Sequence, residues 1–144
     1  MKYTPIVGTL GYILSPDGRR TLLVHRRYRE EDDQLGKFNG LGGKLHPDED
    51  VVSGMERELA EEAGIRVVRM RLRGTVNWTG FGPKGEDWLG FIFLIEEFAG
   101  EPLAENEEGP LEWHDLDRLD ALPMWKGDRH FLPSLLYTSP SPRG

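Results

Sequence analysis

The chain has no cysteine among its 144 residues, which excludes a disulfide framework and any thiolate metal centre. It also lacks a basic excess: 18 Lys and Arg stand against 25 Asp and Glu, a formal charge of −7. A general nucleic-acid surface needs a basic face to neutralise phosphates, so no nucleic-acid polymer is expected as a partner. No apolar run is long enough to span a bilayer, and Met1 to Leu14 lacks a signal-peptide pattern. A soluble, cytoplasmic protein without a membrane partner is the expectation. There is no internal repeat, and the four histidines show no i, i+4 pairing, so none is assigned a catalytic role. Nothing in the sequence fixes the oligomeric state.

What is present is an ordinary globular composition, 38% hydrophobic and 30% charged, enough for one domain with a real core over residues 1–137. Residues 138–144 (TSPSPRG) read as a disordered tail.

The chain is organised around Gly43 to Ile65, GKLHPDEDVVSGMERELAEEAGI. A Gly-rich turn (Gly40, Gly42, Gly43) leads through a short acidic loop into a helix. Asp50 suits the N-cap, acidic Asp48 and Glu49 suit the positive helix start, and Gly64 suits the C-terminal stop. At about 100° per residue, Val51, Val52, Met55, Leu59 and Ala63 form one apolar stripe that should lie on a core. Beside it stand Glu58, Glu61 and Glu62, spaced i, i+3, i+4. Carboxylates this close raise one another's pKa unless something positive sits among them. The stretch is either a solvated acidic face or an oxygen-only site for a hard cation, Mg²⁺ or Mn²⁺; with no Cys and no nearby His pair, zinc is disfavoured.

Elsewhere, Tyr3 to Leu14 and Thr21 to His25 read as strands joined by a Ser15-Pro16-Asp17-Gly18 turn into a hairpin. Tyr28 to Gly36 is a charge-mixed loop, either simply solvated or a lid. Lys37 to Lys44 carries an apolar segment into glycines whose N–H groups can approach an anion, with Lys44 as a point charge for phosphate. Arg66 to Asn77 has the alternation of a half-buried strand, with Val67, Met70, Leu72 and Val76 on the apolar side. Thr79 to Asp87 is a loop, and Trp88 to Phe98 should be a central strand. Gly100 to Gly109 reads as an acidic loop, Leu111 to His114 as a short strand, Asp115 to Leu119 as a helical turn, and Asp128 to Tyr137 as a last helix limited by Pro133. One mixed sheet with the acidic helix on one face and the late helix on the other is the economical α/β arrangement.

Gly43, five residues, Glu49, seven residues, then Arg57-Glu58-Leu59-x-Glu61-Glu62-x-Gly64-Ile65 resembles the signature of the Nudix hydrolases at nine specified positions over 23 residues. The resemblance implies an α/β/α sandwich and the cleavage of a nucleoside diphosphate linked to another group, with divalent metal, Mg²⁺ or else Mn²⁺, held by the helix. It gives Glu58, Glu61 and Glu62 metal-binding and catalytic roles, counts Arg57 with the catalytic set, and has Arg57 and Glu49 orient the glutamates. Glu108 and Gly42 join the metal side, and the general base is left open among Glu58, Glu61, Glu62 and Glu108.

The segment Phe38 to Lys44 and the spacing of Glu108, Trp113, Leu116, Trp125, Asp128 and Pro133 are similar to the subgroup that hydrolyses oxidised purine nucleoside triphosphates. That similarity implies a small-molecule nucleotide substrate such as 8-oxo-dGTP. Gly43 and Lys44 would serve the phosphates, Asn39 would hydrogen-bond the purine, Trp125 would stack on it, and Asp128 would read its edge. Core packing for Trp125 and a helix N-cap for Asp128 are the structural alternatives. Gly127 stands where the subgroup has the first of two adjacent acids, which implies weaker base selectivity. Other diphosphate substrates (dinucleoside polyphosphate, nucleotide sugar, ADP-ribose, an RNA 5′ end) or a non-catalytic binding domain are the competing readings.

Overall fold

The computed structural model describes residues 2–31, 35–80 and 84–123. Eight strands run in chain order as β1 (Ile6–Leu14), β2 (Arg20–His25), β3 (Phe38–Asn39), β4 (Leu41–Lys44), β5 (Arg66–Trp78), β6 (Trp88–Ala99), β7 (Glu105–Asn106) and β8 (Gly109–Asp115). Helix α1 spans Val51–Ala63, and a 3-10 segment covers Leu116–Ala121. The sheet order is β5-β6-β1-β2-β8-β7, with β3 joined to β2 and β4 to β1. Among the described residues only β1 and β6 pair in parallel, so the sheet is mixed and the α/β expectation holds. Among the described residues no helix is long and apolar enough to cross a membrane.

The Trp88–Phe98 run is central because it is apolar on both sides. Ile92, Phe93, Leu94 and Ile95 are all buried, and alternation sends them to two cores. On one face Phe93 and Ile95 join Ile13, Val24 and Leu41 under Met55, Leu59 and Ala63 of α1. On the other, Ile92 and Leu94 meet Tyr12, Leu23, Phe38 and Leu119 of the 3-10 segment. The expected last helix, Asp128 to Tyr137, and the tail lie outside the described residues.

The expected β1–β2 hairpin is present but short, pairing only Ile13 with Leu22 and Leu14 with Thr21. Below Ile13 the strands part, because β4 takes the edge of β1 from Gly8 to Gly11 while β3 takes β2 at Val24 and His25. This insertion corrects the reading of Gly42 and Gly43 as a turn, since both lie in β4, opposite Leu10 and Thr9. The reason is close packing: a Cβ on Gly42 would stand 1.9 Å from the Thr9 carbonyl oxygen.

Three further expectations change. Val52, placed on the buried stripe, is 47% exposed: it shares a direction with buried Leu59 and Ala63 but sits in the first turn of α1. Leu72 is also exposed, because register shifts between Val67 and Arg69, Arg69 and Met70, and Leu72 and Gly74 break the alternation of β5. Finally, the acidic loop before Gly109 contains β7, which pairs Glu105 with Pro110 and Asn106 with Gly109 across a tight turn at Glu107 and Glu108.

Candidate active site

Helix α1 begins and ends where the sequence sets it. The Asp50 side chain accepts from the Ser53 N–H at 2.8 Å, and Gly64 closes the helix at φ 69°. Glu49, expected to favour the helix start by its charge, is turned instead to Arg57, and its side chain and that of Leu45 lie close over Gly54 in the first turn. A Cβ there would lie 2.5 Å from Leu45 Cδ1 and 3.1 Å from Glu49 Oε1. Glycine inside a helix costs about 1 kcal/mol relative to alanine, so the close crossing of the loop is what it permits.

Arg57 ties the site together. Its Nη2 donates to Glu49 Oε1 at 2.7 Å and its Nε to Glu49 Oε2 at 3.0 Å, while Nη1 reaches Glu58 Oε1 at 2.9 Å and Glu61 Oε2 at 3.3 Å. A further bond runs from Nη2 to the Lys44 carbonyl at 3.3 Å. Glu49 also accepts from the His46 N–H at 2.9 Å, and the Arg57 bond together with that backbone bond holds its carboxyl down at about 2. One guanidinium thus fixes the loop, the end of β4 and two helix carboxylates.

Glu58 is buried and points at the strand. A Cβ on Gly43 would sit 2.8 Å from Glu58 Oε1 and 2.9 Å from its Oε2, so the bare backbone of β4 is the seat of that carboxylate. Glu62, one turn on, is pushed up to about 8, first by burial, then by the charges of Glu108 and Glu58 and a hydrogen bond with Glu58. Glu61 is exposed and held by Arg57. Glu108 reaches the cluster from the β7–β8 turn, with Arg26 Nε 3.5 Å from its Oε2.

The structure therefore seats Glu58 on Gly43 with Arg57 behind it, and the charges of Glu58 and Glu108 both act on Glu62. Among the described residues no three such groups stand arranged as a finished metal site. The donor set is nevertheless all oxygen, and Glu62 is held towards its protonated form first by burial and then by the charges of Glu108 and Glu58. A hard cation fits that chemistry.

The other expected positions are more scattered. Lys44 follows Gly43, so strand alternation turns its side chain to the opposite face, where Nζ stands 5.8 Å from the centre of the Trp88 ring. Asn39 is half-buried in β3 opposite Val24. Trp125 and Asp128 lie outside the described residues, as do residues 32–34 of the expected lid. Sequence reasoning missed two features beside these. Trp88 packs over Gly8 with its indole Nε1 buried and unpartnered among the described residues, and Trp78 covers Gly90. Their signal was two tryptophans flanking a Gly-rich loop, with glycines in the neighbouring strands.

A family model described as the NUDIX domain matches residues 4–135. An uncharacterised Nudix hydrolase, YvcI, of Bacillus subtilis is 34% identical over 99 residues, 66% of this chain and 61% of its own. The oxidised purine nucleoside triphosphate hydrolase of Danio rerio is 34% identical over 101 residues, 70% of this chain and 64% of its own. The match thus spans less than two thirds of either curated relative. Among solved structures, a mutator MutT protein from Bacillus halodurans superposes with a TM-score of 0.79 at 29% identity, covering 92% of this chain and 83% of that one.

Proposed function

We propose that this chain, which belongs to the Nudix family, is a metal-dependent pyrophosphohydrolase of purine nucleoside triphosphates, oxidised ones such as 8-oxo-dGTP included. The observation that carries the reading is the Glu58 carboxylate seated on the bare backbone of Gly43, bonded with Glu61 to Arg57, with the charges of Glu58 and Glu108 both acting on Glu62. The relative from Danio rerio named for oxidised purine triphosphates supports the substrate class.

In this reading Glu58, Glu61, Glu62, Glu108 and Gly42 hold Mg²⁺, or Mn²⁺ in its place. When bound, the cation supplies the positive charge that lets a triphosphate approach an acidic face and that offsets charge developing on its oxygens. Arg57 keeps Glu58 and Glu61 oriented, so little reorganisation is left for the reaction. A carboxylate of the cluster takes the proton from the attacking water. The water oxygen bonds to phosphorus, the phosphoanhydride bond breaks, and the products are a nucleoside monophosphate and pyrophosphate. The backbone of Gly43 contacts the phosphates, while Asn39, Trp125 and Asp128 form the base pocket; with Gly127 beside Asp128, a single acid reads the base edge.

The test is turnover over a panel of 8-oxo-dGTP, dGTP, pyrimidine triphosphates, ADP-ribose, a nucleotide sugar and a dinucleoside polyphosphate, with and without Mg²⁺. Pyrophosphate and monophosphate should appear from purine triphosphates only with metal. Orthophosphate as the first product from a triphosphate, or preference for ADP-ribose, a sugar nucleotide or a dinucleoside polyphosphate, would refute the assignment.

A further inference from the structure

Glu108 is the one acidic member of the cluster that does not come from α1, so its distance from Glu62 depends on how the β7–β8 turn is held. Three devices hold it. Gly109 lets the turn lie against β2, since a Cβ there would stand 1.8 Å from the His25 carbonyl oxygen. On the same side the backbone N–H groups of Arg27 and Tyr28 donate to the Glu108 carbonyl at 3.0 and 3.1 Å. On the helix side the link is Asn106. Its Nδ2 donates to the Glu62 carbonyl at 3.2 Å, and its Oδ1 accepts from the Glu108 N–H at 2.9 Å.

The Glu62 carbonyl is one of the last four of α1, which have no partner inside the helix. Its neighbour, the Ala63 carbonyl, is met by the Leu103 N–H at 2.8 Å. The C-terminal turn of α1 is therefore clasped by the same segment that delivers Glu108. Both bonds of Asn106 come from one planar amide, so they set the Glu62 and Glu108 backbones at a fixed separation.

We infer that Asn106 is a positioning residue, which fixes the Glu108 carboxylate against Glu62 by tying the β7–β8 turn to the last turn of α1. The inference rests on the proposed reading only in that the cluster it adjusts is the one that binds metal. Neither Ala nor Ser at position 106 reaches both partners. The first loses both bonds, and the second keeps a local acceptor for the Glu108 N–H without the link to Glu62.

The experiment is a double-mutant cycle on the full chain, with Mn²⁺ binding read by electron paramagnetic resonance and no nucleotide present. Asn106→Ala should weaken Mn²⁺ about tenfold, the usual scale for removing a group that orients a ligand. Glu108→Gln should weaken it comparably, and the double variant should lose little more than either single one, because Asn106 acts through Glu108. Melting midpoints and circular dichroism check the fold. Should the Ala variant not fold, Asn106→Ser is carried through the same cycle with the same non-additive result expected. In turnover, the Asn106 variant should show a lowered kcat and a raised Mg²⁺ requirement, with KM for nucleotide at saturating metal changed less than about twofold. Additive losses in the cycle, or unchanged Mn²⁺ affinity in a folded Asn106 variant, would overturn the inference. A wild-type protein that turns over no nucleotide would refute the proposed function and leave the binding cycle to decide Asn106 on its own.

Discussion

Gly42 and Gly43 are neighbours in one strand, yet adding a methyl group to each should damage different properties. At Gly43 the added Cβ would lie 2.8 to 2.9 Å from the carboxyl of Glu58, the end of a flexible side chain. That carboxyl must retreat by roughly half an ångström to reach ordinary contact, and Arg57, bonded to it at 2.9 Å, must follow. Stability should change by no more than about 1 kcal/mol, since alanine also restricts the unfolded chain. Turnover should fall about 10- to 100-fold, because misplacing a reacting group by a fraction of an ångström is costly. At Gly42 the Cβ would lie 1.9 Å from the Thr9 carbonyl oxygen, a backbone atom that moves only if β1 and β4 separate. Gly42→Ala should therefore cost about 3 kcal/mol of stability before any effect on chemistry is measured. Denaturant midpoints and kcat for 8-oxo-dGTP under saturating Mg²⁺ separate the two. A Gly43→Ala protein with unchanged kcat, or a Gly42→Ala protein as stable as wild type, would refute this account of the strand.

Two other expectations are more direct. Glu62 has its pKa raised from 4.5 to about 8, so between those values the folded metal-free chain keeps a proton that the unfolded chain has lost. Its stability should fall as pH rises through that window, and Glu62→Gln should remove that part of the slope while reducing turnover by orders of magnitude. Denaturant midpoints in a chelator at several pH values check this, and an identical slope in the Gln variant would count against it. Leu59, with no exposure between α1 and the sheet, should cost about 2 to 5 kcal/mol as Leu59→Ala, with an unchanged denaturant m-value. A loss below about 1 kcal/mol would mean that helix and sheet are not packed there as described.

The parts of the fold legible in the sequence are those written in local chemistry. Asp50 and Gly64 bound α1 because capping involves only the neighbouring few residues, and the β6 strand is legible because a run apolar on both sides has few places to go. What was not legible depends on residues far apart in sequence. Periodicity gives the direction of Val52 but not how far along the axis the sheet extends, so the valine faces the core side from a turn the core does not reach. Gly42 and Gly43 looked like turn residues because glycine is common in turns; that they are strand residues is decided by Thr9 and Glu58, 33 and 15 positions away.

The same division runs through the candidate site. Spacing on one helix was enough to group Glu58, Glu61 and Glu62, and the motif added Arg57 and Glu49. Spacing alone does not distinguish these glutamates from a solvated acidic face. The distinction comes from the sheet: Glu58 is buried against a strand position without a side chain, Glu62 is crowded by it and by Glu108, and only Glu61 stays in water. A solvated face would hold three ordinary carboxylates. Here burial and mutual repulsion are imposed by long-range packing that no local propensity favours, and the proposed cation would offset that cost. Asn106 extends the reasoning by one residue. An amide in an acidic turn has no sequence signature, and its relevance appears only when the turn is brought against the helix end 44 positions earlier.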